Sequence, residues 1–130
     1  LRDVYKRQVH PPLTPETRGM IGAREISLMK ENVILINVAR GGIIDEDALL
    51  DALQKGRIRG AGLDVFAREP VDLHGPLIQN ENMVCTPHAA WNSAESEMER
   101  RRKSAEDVVR VLKGERPKYL VNRKVLERLR

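Results

Sequence analysis

The chain has 130 residues, of which 41% are hydrophobic and 32% are charged, a balance that favours a folded globular protein over a disordered one. No apolar run approaches the roughly 20 residues that span a membrane, and the charged start LRDVYKRQ lacks the apolar core of a signal peptide. The formal net charge of +4 arises in residues 91–130, where 12 basic and 7 acidic residues give +5. Because the basic run at 100–103 follows three glutamates, it favours a solvated helix face, and we expect no binding to nucleic acid or membranes.

The cysteines, histidines and glycines limit the chemistry further. Cys85 is the only cysteine, which excludes an intrachain disulfide, fits a reducing cytoplasm and favours a small buried residue. His10, His74 and His88 are spaced too widely for a paired-ligand motif, so we expect no metal site. The sequence contains no G-x-G-x-x-G motif, so the turn that grips a dinucleotide pyrophosphate is not predicted within it.

The most informative stretch runs from residue 33 to residue 49. It begins with VILI, an apolar and mostly β-branched run that is typical of a strand buried on both faces of a parallel sheet. The strand is expected to reach Ala39, and Arg40 follows directly before two glycines that permit a sharp turn. Asp45 has the chemistry of a helix N-cap, so the pattern predicts a helix over 46–55 that ends at Gly56.

The other elements are shorter or lie nearer the chain ends. Residues 9–15 contain three prolines and are expected to be extended. The last helix is expected to begin at Asn92 or Ser93, with Asn92 and Glu95 resembling a capping box, and to end near Lys113. The remaining predictions are a helix over 23–29 and strands over 58–66 and 83–86. Alternating strands and helices indicate an α/β fold with a parallel sheet.

A polar side chain of a functional type follows each predicted strand. These are Arg40, then Asp64 with Glu69 shortly after, then His88. Carboxyl ends of parallel strands meet at one edge of a sheet, where ligands of α/β proteins bind. Arginine can hold a carboxylate through two hydrogen bonds, histidine can exchange a proton near neutral pH, and a carboxylate beside an imidazole orients it and favours its protonated form.

Each of these residues also has a purely structural interpretation. Arg40 could form a surface ion pair, Asp64 could cap a turn, Glu69 could be a solvated loop residue, and His88 could bind a loop carbonyl. Taken singly, only Arg40 is favoured as functional, because of the glycine turn that follows it. The three strand ends together favour a site for a small anionic substrate with a hydroxyl or keto group.

With these residues identified, the chain resembles the D-isomer-specific 2-hydroxyacid dehydrogenase family. The matching segments keep the family's order and spacing and cover roughly residues 9–120. They are VHPPLTPETRGMIG (9–22), LMKENVILINVARGGIIDEDALLDALQKGRIRGAGLDVFAREP (28–70) and NMVCTPHAAW (82–91).

This resemblance implies a partial Rossmann-like parallel sheet with a long C-terminal helix. Residues 9–90 resemble the second half of the family's NAD-binding domain, and residues 91–130 resemble the helix and tail that return to the substrate domain. Residues 1–8 do not match the family, and two interpretations stay open for them: a leader that is not native, or a sequence error. The chain is accordingly expected to be a fragment of a two-domain enzyme.

The resemblance also assigns roles to the residues at the strand ends. Arg40 of the N-x-A-R-G-G motif is expected to hold the substrate carboxylate. Glu69 of the D-V-F-x-x-E-P motif is expected to pair with His88 of the P-H-A motif, the donor and acceptor of the proton. Asp64 resembles the residue that bonds the nicotinamide carboxamide, and His88 also borders the cofactor.

Four further residues are expected to contact the cofactor by the same resemblance. Pro11, which follows His10, and Thr17 resemble residues that line the adenosine and phosphate side. Val38 and Ala39 resemble backbone contacts to the nicotinamide. The expected cofactor is NAD, with NADP not excluded.

The implied activity is hydride transfer between NAD(H) and a small D-2-hydroxy or 2-oxo acid of the phosphoglycerate, glycerate/hydroxypyruvate or lactate type. A cytoplasmic homodimer is expected for the complete enzyme. One alternative is an NAD(H)-sensing corepressor of the C-terminal-binding-protein type, in which Trp91 also follows the P-H-A-A segment. Another is that the fragment alone is inactive and binds NADH weakly or not at all.

Overall fold

The computed structural model describes residues 9–122 and residue 124, so the predicted leader at 1–8 and the end of the predicted tail lie outside the described residues. Six elements follow one another along the chain. They are α1 (Ala23–Ser27), β1 (Ile34–Asn37), α2 (Glu46–Gln54), β2 (Gly60–Leu63), β3 (Met83–Cys85) and α3 (Ala94–Leu112). The chain divides between Ala90 and Trp91 into two compact units. The predicted α/β fold with a long C-terminal helix is confirmed.

The three strands form one parallel sheet in the order β1-β2-β3. Ile36 of β1 pairs with Gly62 of β2, and Gly62 in turn pairs with Val84 of β3. An isolated parallel bridge joins Val9 to Asn37, which brings the proline-rich segment beside the end of β1. Because all strands run in the same direction, their carboxyl ends share one edge of the sheet.

Helix α2 forms where the sequence predicts it. Its N-cap is Asp45, whose carboxylate accepts hydrogen bonds from the N–H groups of Asp47 and Ala48. It ends at the C-cap Lys55, and Gly56 follows in the left-handed conformation that suits glycine, with a φ of 63°. Its buried face joins a core of ten side chains from the first unit: Ile26, Leu35, Ile44, Leu49, Ala52, Leu53, Ile58, Ala61, Leu63 and Phe66.

The prediction that β1 is buried on both faces is wrong. Leu35 and Asn37 are buried, whereas Ile34 is 56% and Ile36 is 57% exposed. The core lies on the face of the sheet that carries Leu35, and the opposite face is left open in the described part of this unit. Cys85 is exposed rather than buried, because β3 is a three-residue strand at the edge of the sheet.

Each predicted strand is longer than the observed one. Val65 and Phe66 lie beyond β2, and Ile58 precedes it, yet all three are buried. The apolar residues of 58–66 therefore indicate burial in the core, and only part of this stretch is a strand. The short helix predicted over 23–29 likewise ends at Ser27.

The second unit contains α3. Ser93 is its N-cap and exchanges hydrogen bonds with Ser96, so the capping box predicted for Asn92 and Glu95 is wrong. The basic residues Arg100–Lys103 each pair with a glutamate on the same helix. The guanidinium of Arg100 also lies 5.7 Å from the centre of the Trp91 ring. Within the described residues, no helix has the length and apolar character needed to cross a membrane.

Candidate active site

The site lies at the carboxyl edge of the sheet, where three loops leave the three strands. The loop after β1 carries Arg40, the loop after β2 carries Glu69, and the segment after β3 carries His88. Parallel pairing of the strands brings these loops to the same edge although they are far apart in sequence.

Glu69 and His88 are in direct contact. Nδ1 of His88 lies 2.9 Å from Oε2 of Glu69. The other carboxylate oxygen, Oε1, accepts a hydrogen bond of 3.0 Å from the N–H of Phe66, so both oxygens are held. The hydrogen bond with His88 and the one from Phe66 lower the pKa of Glu69, so both favour its ionised form. This contact orients the ring of His88.

Asp64 anchors the segment that carries His88. Its carboxylate accepts hydrogen bonds from the Thr86 hydroxyl (2.5 Å), the Ala89 N–H (2.8 Å) and the Ala90 N–H (2.9 Å). Burial alone would raise the pKa of Asp64, which is 2% exposed, but these three hydrogen bonds outweigh burial and lower it. His88 itself has a φ of 53°, a left-handed conformation that is uncommon for a residue with a side chain.

The backbone around Arg40 is fixed on both sides. Before it, the buried amide of Asn37 donates to the Arg40 carbonyl at 2.9 Å and accepts from the Ala39 N–H at 3.0 Å. After it, Gly41 packs so closely that an added Cβ would lie 1.7 Å from the carbonyl oxygen of Phe66. The turn that carries Arg40 thus rests against the loop that leads to Glu69.

The side chain of Arg40 is exposed, and its guanidinium donates to the Ala39 carbonyl at 2.7 Å. The structure therefore places Glu69 and His88 in direct contact, and Asp64 bonds the backbone directly after His88. It places Arg40 in the neighbouring turn, where its described hydrogen bond is local. A long side chain in an exposed position can swing onto an anionic ligand at this edge.

The residues expected to contact the cofactor have mixed surroundings. Val38 is exposed, whereas the N–H of Ala39 is already bonded to Asn37. The Thr17 hydroxyl donates to the Pro12 carbonyl at 2.7 Å and accepts from the Thr14 N–H at 2.8 Å. Pro11 is half-buried, two residues beyond the bridge between Val9 and Asn37. Contact of these residues with a cofactor stays a prediction.

Three supporting residues were missed at the level of the sequence. Asn37 and Thr86 supply side-chain hydrogen bonds described above, and Glu46 accepts one from the Ala67 N–H at 2.6 Å. The sequence does contain a signal for Asn37, because this polar residue follows four apolar residues at the end of a predicted strand. Glu46 had none, since an acidic residue in the first turn of a helix is already explained by the helix dipole.

The histidines, cysteine and carboxylates of the described chain form no group of three or more that could hold a metal ion. An arginine, an imidazole paired with a carboxylate, and an exposed apolar residue at one sheet edge suit an organic anion instead.

Residues 8–90 match the family model of the NAD-binding domain of D-isomer specific 2-hydroxyacid dehydrogenases. The chain belongs to this family.

Relatives of the chain agree with the family assignment. The D-3-phosphoglycerate dehydrogenase of Methanocaldococcus jannaschii is 46% identical over 114 residues, covering 88% of this chain and 22% of the relative. The glyoxylate reductase of Aeropyrum pernix is 42% identical over 127 residues, covering 98% of this chain and 38% of the relative. The chain thus spans well under half of either relative.

Solved structures of family members superpose on the chain. The NAD complexed form of the enzyme from Lactobacillus delbrueckii ssp. bulgaricus is 36% identical, with a TM-score of 0.79, and the match covers 88% of this chain and 39% of that one. A member from Xanthobacter autotrophicus Py2, in complex with NADPH and MES, is 37% identical, with a TM-score of 0.69, and the match covers 88% and 46%. The parallel sheet is therefore the Rossmann-like sheet of this family.

Proposed function

We propose that this chain supplies the substrate-binding and proton-transfer residues of an NAD(H)-dependent oxidoreductase that interconverts a small D-2-hydroxy acid and its 2-oxo acid. The observation that carries the proposal is the 2.9 Å contact between His88 and Glu69 at the carboxyl edge of the sheet. A histidine held by an ionised carboxylate at a ligand-binding edge suits general acid–base catalysis.

The residues of this edge also suit the nicotinamide end of a dinucleotide. Exposed Val38 offers an apolar surface for a flat ring, next to the polar backbone of the turn that Asn37 closes. Arg40 in the same turn can hold an anionic group beside that ring. Bound NADH would supply the hydride that reduces a keto carbon. NADP is retained as an alternative, since this chain lacks a G-x-G-x-x-G fingerprint and its ribose contact.

Arg40 is proposed to bind the substrate carboxylate. A guanidinium forms two parallel hydrogen bonds with a carboxylate, which fixes the orientation of the adjoining keto group as well as its position. The turn that carries Arg40 is held by Asn37 and by the close approach of Gly41 to Phe66, so the side chain starts from a fixed backbone.

His88 is proposed to transfer the proton. Its Nδ1 lies against Glu69, so Nε2 is the nitrogen that would face the substrate oxygen. In reduction, the proton on Nε2 passes to the keto oxygen while the keto carbon is reduced, and the product is a 2-hydroxy acid. In oxidation, Nε2 accepts the hydroxyl proton. Glu69 stabilises the protonated ring in both directions.

The substrate class follows from the same geometry. One carboxylate clamp and one proton donor suit a 2-oxo acid with a small substituent, the class to which glyoxylate, hydroxypyruvate, pyruvate and phosphohydroxypyruvate belong. In a polypeptide of the relatives' length, we propose a homodimer in the cytoplasm, where the exposed thiol of Cys85 stays reduced.

A chimera tests the proposal. Residues 9–122 would replace the matching segment of the Aeropyrum pernix glyoxylate reductase, which this chain matches over 127 residues. NADH oxidation would be followed by absorbance with glyoxylate, hydroxypyruvate and pyruvate. We expect turnover of at least one of these acids. A folded chimera that binds NADH but reduces none of them would refute the proposed function.

A further inference from the structure

Asn37 and Asp64 are the buried polar residues among the described ones, at 1% and 2% exposure. Burying an amide or a carboxylate is unfavourable unless its polar atoms are hydrogen-bonded, so the partners of such a group indicate what it does. Asp64 bonds the segment that carries His88, as described above. Asn37 is the corresponding residue at the end of β1, and its side chain bonds the turn that carries Arg40.

Both polar atoms of the Asn37 amide form hydrogen bonds within one turn. Its Nδ2 donates to the Arg40 carbonyl at 2.9 Å, and its Oδ1 accepts from the Ala39 N–H at 3.0 Å. Both partners lie within three residues, so these bonds shape the turn and do not tie it to another element. The backbone carbonyl of Asn37, by contrast, reaches the segment directly after β2, where it accepts from the Asp64 N–H at 3.0 Å.

We propose that Asn37 is a positioning residue for Arg40, a role that rests on the proposed function. The direction of the Arg40 side chain depends on the backbone between residues 37 and 40, and the amide closes this backbone from within. Gly41 holds the other side of Arg40 against Phe66. Without the amide, the turn loses its fixed geometry on the β1 side, and the guanidinium fork no longer meets the substrate carboxylate in a constant orientation.

This role differs from general stabilisation of the fold. The described hydrogen bonds of the amide end within its own turn, while the core is formed by apolar side chains of α1, α2 and the sheet. Loss of the amide should therefore weaken substrate binding more than it weakens the proton transfer at His88. A displacement of about 1 Å in a positioning group can cost on the order of 10²-fold, which we expect to appear in kcat/KM through a higher KM.

The test uses the chimera, with Asn37→Ala and Asn37→Ser. Alanine removes both hydrogen bonds, whereas serine can still accept from the N–H two residues ahead. We expect Asn37→Ala to raise the KM for glyoxylate about tenfold or more while kcat stays within about threefold. We expect Asn37→Ser to give an intermediate KM. If Asn37→Ala fails to fold, the KM of Asn37→Ser is compared with that of the parent chimera instead.

Asn80→Ala is the matched control. Oδ1 of Asn80 accepts from the Asn82 N–H at 2.9 Å, the same contact between an asparagine and the residue two positions ahead, but at the opposite end of β3 from His88. We expect the Asn80→Ala variant to have the same KM for glyoxylate as the parent chimera.

The outcomes separate the two proposals. An active chimera whose folded Asn37→Ala variant keeps the parent KM would overturn the positioning role alone. An equal rise in KM in Asn80→Ala would also overturn it, because the effect would then be general loosening. A parent chimera that reduces no 2-oxo acid would overturn the proposed function and this inference with it.

Discussion

Nδ1 of His88 and Oε2 of Glu69 lie 2.9 Å apart although the residues are 19 positions apart in sequence. Several features produce this contact. Parallel pairing of β2 and β3 brings the two loops to one edge, the Phe66 N–H holds the second carboxylate oxygen, and Asp64 fastens the backbone after His88. The pair is thus built by the fold rather than by a local motif.

Arg40→Lys should weaken binding of the substrate. Lysine keeps the charge but cannot form the planar pair of hydrogen bonds, each of which is worth about 1.5–3 kcal/mol with a charged partner. Loss of one such bond predicts a rise in the KM of the chimera for glyoxylate of about 10–100-fold, measured by steady-state kinetics. Arg59→Lys, an exposed arginine before β2, is the control and should leave KM unchanged. An unchanged KM in Arg40→Lys would remove Arg40 from substrate binding.

Gly41→Ala should disrupt the contact between the turn that carries Arg40 and the loop that leads to Glu69. A Cβ at this position would lie 1.7 Å from the carbonyl oxygen of Phe66, so the backbone of one loop must move. We expect a loss of about 3 kcal/mol in the free energy of unfolding, together with loss of turnover, because Phe66 also positions Glu69. The measurement is urea denaturation of the chimera and its variant.

Gly62→Ala is the matched control for that substitution. Its added Cβ would meet the Ile36 side chain at 3.7 Å, an ordinary van der Waals distance, so little destabilisation is expected. Equal destabilisation by the two substitutions would show that the close approach of Gly41 to Phe66 is not the cause.

The lowered pKa of Asp64 predicts that the stability of the fold depends on pH. Its hydrogen bonds from Thr86, Ala89 and Ala90 hold its pKa in the folded protein below the ordinary value of 3.8. A lowered folded pKa contributes stability that is fully present above the ordinary value and is lost as the pH falls through the folded pKa. In Asp64→Asn this contribution is absent at every pH. The difference in unfolding midpoint between parent and variant should therefore be largest near pH 6–7 and shrink below about pH 4.

Asp72→Asn provides the comparison for Asp64. Asp72 also accepts a backbone hydrogen bond, from the His74 N–H at 3.0 Å, but it is exposed in a loop. We expect its unfolding midpoint to follow the parent across the whole pH range. A constant difference for Asp64→Asn from pH 7 down to pH 3 would contradict the role assigned to the ionised Asp64.

The sequence predicted the first unit well at positions where a single residue determines the local backbone structure. Asp45 caps α2 and Gly56 follows its end, because the choice of an N-cap and of a left-handed residue depends on that residue alone. The positions of Arg40, Glu69 and His88 after their strands were also predictable, since strands, turns and their order can be inferred from apolar runs and glycines.

Properties that depend on distant parts of the chain were not predictable in the same way. The exposure of Ile34, Ile36 and Cys85 depends on which face and which edge of the sheet other elements cover. An apolar run in the sequence does not indicate whether one face or both faces of its strand are covered. The hydrogen bond from Ala67 to Glu46 joins residues 21 positions apart and leaves no local pattern. The family resemblance supplied roles for individual residues that spacing alone left open.

The most direct test of the proposed function is the kcat of His88→Gln in the chimera. Glutamine keeps polar atoms near Glu69 but cannot act as the general acid, and loss of a general acid costs about 10²–10⁴-fold in rate. His74→Gln, in the exposed loop before β3, is the control and should keep the parent kcat. We predict that His88→Gln binds NADH with the parent affinity, measured by fluorescence titration, and loses turnover by that factor. Parent-like turnover in His88→Gln would contradict the mechanism.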